Sequence, residues 1–183
     1  MINFDFFAPT KILFGAGRES EVGKQVAAFG GHRVMIVYGK KGGHIEASGL
    51  LERVHKSLRD AGLSYVDLNG VVPNPRLSLV KEGIRIGRAE DIDFLLPIGV
   101  VLTIAAAGSE MSSSMVLTIE DGMMKRSYGH DCSRPKFAIM NPALTYSLPT
   151  YQTASGAVDI MMHTMERYFT PTDTDTSLTD RIA

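Results

Sequence analysis

The chain has no tryptophan and a single cysteine, Cys132, among its 183 residues. One cysteine excludes an internal disulfide, so the cytoplasm is the expected compartment. Neither sign of charge is in excess: 19 Lys and Arg against 20 Asp and Glu give a net charge of −1. Nothing in that balance points to nucleic acid or an anionic membrane as partner. Long apolar runs are missing too. The longest nearly apolar stretch, Phe94 to Gly108, is too short to span a bilayer and contains Pro97 and Thr103. The opening Met-Ile-Asn-Phe-Asp has no basic region ahead of an apolar run, so no signal peptide is expected. No internal repeat or low-complexity block stands out. What remains is a length sufficient for one domain with a proper core.

The segments that are present alternate in period. "INFDFFAPTKILFGAG" predicts two strands broken at Ala8-Pro9, and a helix is expected from Glu19 to Phe29. "HRVMIVYG" suits a buried parallel strand, and "LLERVHKSLRDAG" has helical periodicity with a stop at Gly62. "SYVDL" is a strand, Leu77 to Arg88 a helix and "DIDFLLP" a further strand. This β–α–β–α–β order predicts a parallel sheet covered on both faces, an α/β Rossmann-like domain over residues 1–147. "MVLTIEDGMMKRSY" adds a hairpin turning at Asp121-Gly122, and "KFAIMNP" one more strand. From 148 onward the pattern turns helical, as if an all-helical domain begins there. "TPTDTDTSLT" is then a loop, "DRIA" starts another helix, and the sequence reads as truncated at that point.

Two places carry chemistry. Open α/β sheets bind ligands at the carboxyl ends of their strands, often through a glycine turn. Gly39, Gly42 and Gly43 directly follow the strand ending at Tyr38, although they match neither G-x-G-x-x-G nor the P-loop. The strand ends Tyr-Gly-Lys-Lys with no acid at its tip. An NAD-selective site places a carboxylate near the ribose 2′-hydroxyl, so NADP(H) is the expected cofactor if a dinucleotide binds. The second place is "ASGAVDIMMHTMERYF". Val158, Met161, Met165, Tyr168 and Phe169 fall on one helical face, and Asp159, His163 and Glu166 on the other. That spacing supports two readings, an exposed polar face with a local Asp–His pair or two ligands of one metal ion.

These segments together resemble the iron-activated (group III) alcohol dehydrogenase family, in its NADPH-dependent butanol dehydrogenase and aldehyde reductase branch. The residues that carry the resemblance are "FFAPTKILFGAG", "VVPNP" at 71–75, "GVVLTIAAAGSEMS" at 99–112 and "LPTYQTASGAVDIMMHTMERYFT" at 148–170. The resemblance implies a dehydroquinate synthase-like fold, with a dinucleotide-binding domain and a helical domain around a divalent metal. It makes Asp159 and His163 the first two ligands, for iron(II) or zinc, with Glu166 beside them. Thr103, Ser109 and Ser112 fall on positions that contact the cofactor. Lys125 falls on a lysine reaching the cofactor ribose or phosphate, and Asn74 either edges the adenosine or serves its turn. The implied reaction is hydride transfer between the nicotinamide and a small alcohol or aldehyde, in a homodimer paired through the N-terminal strands.

Several features depart from that pattern. Similar proteins follow the strand matching "DIDFLLP" with a second phosphate loop, G-G-G-S, and a helix. Here Pro97 runs at once into "IGVVLTIAAAG", the strand expected after that helix. Lys40 and Lys41 look inserted, and His44 stands where a serine is usual. Two further histidine ligands are expected beyond Ala183, while His32, His44, His55 and His130 read as structural or solvated. Two rivals follow: a catalytically inactive fragment of the family, or a glycerol-dehydrogenase-like or dehydroquinate-synthase-like member.

Overall fold

A computed structural model describes residues 7–97, 101 and 103–169. The first N-terminal strand, the 170–179 loop and the "DRIA" helix lie outside the described residues. Around a central strand, β2 (Arg33–Val37), run β3 (Ser64–Leu68) on one edge and β4 (Phe94–Pro97) on the other, both parallel to it. Two helices link β2 to β3, the short α2 (His44–Ala47) and α3 (Leu50–Asp60). α4 (Leu77–Ala89) links β3 to β4. Parallel neighbours need such crossovers, and the alternation in the sequence anticipated them.

The two faces of the sheet are covered unequally. Alternation sends Val34 and Ile36 to one side, where they are fully buried with Leu50, Val54 and Leu58 of α3 and Val22 and Val26 of α1 (Val22–Ala28). A turn of 3-10 helix, Arg18–Glu21, precedes α1, so the helix expected from Glu19 divides into two kinds of turn. α1 and α3 touch backbone to backbone. A β-carbon on Gly23 would sit 2.1 Å from the Ser57 carbonyl oxygen, and the Gly23 N–H donates to Ser57 Oγ at 2.9 Å. α3 ends at Gly62, whose φ of 72° is open to glycine at little cost.

Met35 points to the opposite face, against the glycines of α4. β-Carbons added to Gly83 and Gly87 would lie 3.8 Å from its Sδ and Cε. Leu95, in register with Met35, shares that face yet is 63% exposed, and Ile84 of α4 is 50% exposed. The sheet is therefore sealed beneath β2 and bare beneath β4.

A second parallel pair joins β1 (Lys11–Phe14) to β7 (Phe137–Met140), and Val101 makes one parallel bridge to Ile139. Phe137 stacks with Phe29 at 6.0 Å and Phe94 at 6.3 Å between ring centroids, so all these strands share one core. The strand expected through "IGVVLTIAAAG" is corrected here. Residues 98–100 and 102 are outside the described set, and 103–113 run in bends and turns without strand pairing. Three alanines and a glycine fill 105–108, residues that hold a strand weakly without neighbours to pack on. The hairpin forms as predicted, β5 (Ser114–Ile119) with β6 (Met124–Gly129), and Gly122 takes φ 73° in its turn. α5 (Thr150–Phe169) is one continuous helix with only Gly156 buried. A β-carbon there would meet the Ala105 carbonyl oxygen at 2.5 Å.

Candidate functional site at the strand ends

The tips of β2 and β3 remain joined beyond the sheet. Val71 N–H donates to the Tyr38 carbonyl at 3.1 Å and Gly70 N–H to the Gly39 carbonyl at 3.0 Å. Gly42 takes φ 71°, a turn that glycine enters without strain. Two amides of this loop are already engaged. Gly43 N–H donates to the Lys40 carbonyl at 3.0 Å, and Gly42 N–H to the Glu46 carboxylate at 2.9 Å. Glu46 also lies near the buried Tyr38 phenol. Tyr38 is pushed above its usual phenolic range, first by burial, then by the charges of Asp67 and Glu46. The strand tip that shows no acid in sequence thus has one in space. Sequence reasoning missed Glu46; its signal was the position three residues after the N-cap glycine of α2.

Below the loop lies a cavity of about 240 Å³. His44 of α2 and Ser48 just after it enter it together with Thr103, Arg53 of α3, Glu19 and Asn141. His44 Nε2 lies 3.1 Å from the Ser147 hydroxyl. The Glu19 carboxylate, 5% exposed, accepts from Arg53 Nε at 3.0 Å and from Asn141 Nδ2 at 2.8 Å. This trio knots three distant parts of the chain beside the cavity.

The other expected cofactor residues do not line that cavity. Ser112 Oγ accepts the Ser114 N–H at 3.0 Å, and the Ser112 N–H reaches the Ser109 carbonyl at 3.4 Å, so both serines shape the turn before β5. Asn74 has φ 60°, which supports turn chemistry at that position. Lys125 is exposed on β6, across from Thr118. The hairpin is anchored to the Asn74 loop, because Thr118 N–H donates to the Pro75 carbonyl at 2.7 Å. The Glu120 carboxylate takes the Ser78 N–H at 3.2 Å and the Ser78 hydroxyl. Asn74 and Lys125 therefore belong to one substructure, and Thr103 with the glycine loop to another.

On α5, His163 Nε2 is 3.8 Å from Asp159 Oδ1, and His163 Nδ1 is 4.0 Å from Glu166 Oε2. Asp159 and His163 share a half-exposed face and suit one divalent ion as two of its donors. No group of three or more such donors that could hold a metal occurs among the described residues. The remaining histidines are accounted for structurally. His55 stacks on Tyr65 at 4.5 Å and meets Asp67 at 3.0 Å; His130 Nδ1 accepts the Cys132 N–H; His32 sits against Asp93.

A glycine turn at the carboxyl end of a central parallel strand, flanked by crossover helices, defines a Rossmann-like α/β domain with its crevice at the strand ends. Residues 9–100 and 94–142 match the family model described as iron-containing alcohol dehydrogenase, and the chain belongs to that family. It is 34% identical to NADH-dependent butanol dehydrogenase A of Clostridium acetobutylicum over 207 residues, covering 92% of this chain and 52% of the relative. An NADPH-dependent aldehyde reductase of Escherichia coli is 29% identical, over 100% of this chain and 56% of its own length. The crystal structure of NADH-dependent butanol dehydrogenase A from Thermotoga maritima superposes with a TM-score of 0.86 at 29% identity, covering 96% of this chain and 53% of that one. The chain spans about half the length of the curated relatives it matches. An aligned stretch of 207 residues over 92% of a 183-residue chain also means that the Clostridium protein has residues with no counterpart here. The two family matches meet at 94–100, beside the bare face of β4.

Proposed function

We propose that this chain is the nucleotide-binding part of an oxidoreductase that moves hydride between a nicotinamide dinucleotide and a small primary alcohol or aldehyde. The observation that carries this reading is the glycine loop at the end of β2, in a chain of the iron-containing alcohol dehydrogenase family. On this reading residues 1–147 bind the dinucleotide, and 148–183 begin a helical domain. The crevice holds the dinucleotide along the strand ends. Thr103 faces the cofactor from the cavity, Asn74 edges the adenosine end, and Lys125 reaches the ribose or phosphate. Asp159 and His163 hold the metal, whose chemistry when bound is that of a Lewis acid at the substrate oxygen. The described residues supply two donors, where such a site needs at least three. No Ser-His-acid or Cys-His constellation is needed for hydride transfer.

The choice between the two dinucleotides sets opposing groups against each other. Lys40 and Lys41, both exposed, favour the 2′-phosphate of NADP(H), the cofactor expected from the sequence. Glu46 opposes it. Ile12 and Phe14 of β1 are 40% and 65% exposed, which supports pairing of two copies through this edge. No helix among the described residues is long and apolar enough to cross a membrane, and the lone cysteine supports a cytoplasmic setting.

The reading is tested on the 183-residue chain by fluorescence titration with NADH and NADPH, by metal content after dialysis, and by turnover of an aliphatic aldehyde. Expected are measurable dinucleotide binding, weak metal retention and no turnover. Absence of any dinucleotide binding would refute the nucleotide-binding role. Stoichiometric metal with aldehyde reduction would refute the two-donor account and the inactive state of the chain as it stands.

A further inference from the structure

We infer that Glu46 is the cofactor-selecting residue of the glycine loop, accepting the adenosine ribose 2′-hydroxyl of NADH and excluding the 2′-phosphate of NADPH. The inference rests on the nucleotide-binding reading of that loop. Three observations carry it. The carboxylate is fixed on the Gly42 N–H at 2.9 Å, inside the loop that follows the central strand. It lies near Tyr38, which is buried at the strand tip and whose phenol its charge helps push up. It is half-buried, whereas Lys40 and Lys41 are exposed.

Those differences decide which charge prevails. Exposed lysine ammoniums are mobile and screened by salt within about 10 Å at 0.1 M. A carboxylate held by the Gly42 N–H gives up that hydrogen bond if it swings away. A ribose 2′-hydroxyl can donate to the free lone pairs of that carboxylate. A 2′-phosphate brings only acceptors and negative charge, and meets repulsion that a low local dielectric strengthens. Glu46 also closes the turn ahead of the short α2, a local role that would not by itself discriminate between the two dinucleotides. The residue reaches the strand tip only through the fold, which is why Tyr-Gly-Lys-Lys alone suggested the opposite preference.

Glu46→Gln removes the charge and keeps an oxygen for the Gly42 N–H, so it separates selection from the hold on the turn. Binding of NADH and NADPH to the 183-residue chain is measured by nicotinamide fluorescence for wild type, E46Q and Lys40→Ala/Lys41→Ala, at 0.1 M and 0.5 M salt. Wild type is expected to bind NADH more tightly. E46Q should shift the ratio of affinities toward NADPH by about tenfold or more, with unchanged melting temperature. The lysine pair should shift the ratio less, and only at low salt. An unchanged ratio in E46Q with both cofactors bound overturns the inference and leaves the nucleotide reading standing. Failure of wild type and E46Q to bind either dinucleotide overturns both.

Discussion

Replacing Glu19 with alanine tests the knot beside the cavity. The carboxylate is 5% exposed and has two partners on elements far apart in the chain, Arg53 on α3 and Asn141 after β7. Truncation leaves Asn141 Nδ2 without an acceptor in a residue only 5% exposed, a penalty of about 1–3 kcal/mol. The lost contact with Arg53 adds less, about 0.5–1 kcal/mol, because that side chain is 43% exposed and water takes over its hydrogen bonds. The total is about 1.5–4 kcal/mol. At a urea slope near 2 kcal/mol/M this lowers the unfolding midpoint by about 1–2 M. The assay is urea denaturation followed by far-UV circular dichroism, with Asn141→Ala and the double variant completing a cycle. The double variant should fall short of additivity by about 1 kcal/mol, since it removes the orphaned amide together with its partner. Asn141→Ala alone carries a further cost, because Asn141 Oδ1 accepts the Ala143 N–H at 3.0 Å. A midpoint shift under about 0.3 M for Glu19→Ala, or strict additivity, would refute this account of the knot.

Two further outcomes follow from single contacts. Gly156→Ala places a methyl 2.5 Å from the Ala105 carbonyl oxygen, so α5 should separate from residues 105–106 while gaining helix propensity of about 1 kcal/mol. Hydrogen exchange should then show the 103–108 segment deprotected and α5 still helical; unchanged protection would count against the contact. Asp93 accepts the N–H groups of His32 and Arg33, each at 2.9 Å, and these backbone bonds hold its carboxyl below the ordinary value near 3.8. A depressed folded-state value gives stability that is present above about pH 4 and lost as pH falls through the folded pKa. Asp93→Asn should flatten that acid limb, as followed by melting temperature between pH 2 and 6, and an identical acid limb in the variant would refute the linkage.

Elements that rest on local chemistry could be read directly along the chain. β-Branched runs marked β2 and β3, the apolar spacing with Gly62 bounded α3, and Asp121-Gly122 turned the hairpin. The pairing of Asp159 with His163 follows from one helical turn, so it too was visible in advance. Period and turn chemistry act over a few residues, and a sequence displays them without reference to the rest of the fold. Only the tertiary structure separated Thr103 from Ser109 and Ser112, because turns rather than a strand follow Val101. It brought Glu19 to Asn141 across 122 residues, where the sequence showed only an acid at a helix start. It left Leu95 bare on a sheet expected to be covered on both faces, since coverage depends on which helix returns over which strand. It folded Glu46 back onto the Gly42 amide, near the buried Tyr38. The charge that a ligand meets at the strand tip is set by that fold in space, and the order of residues along β2 does not reveal it.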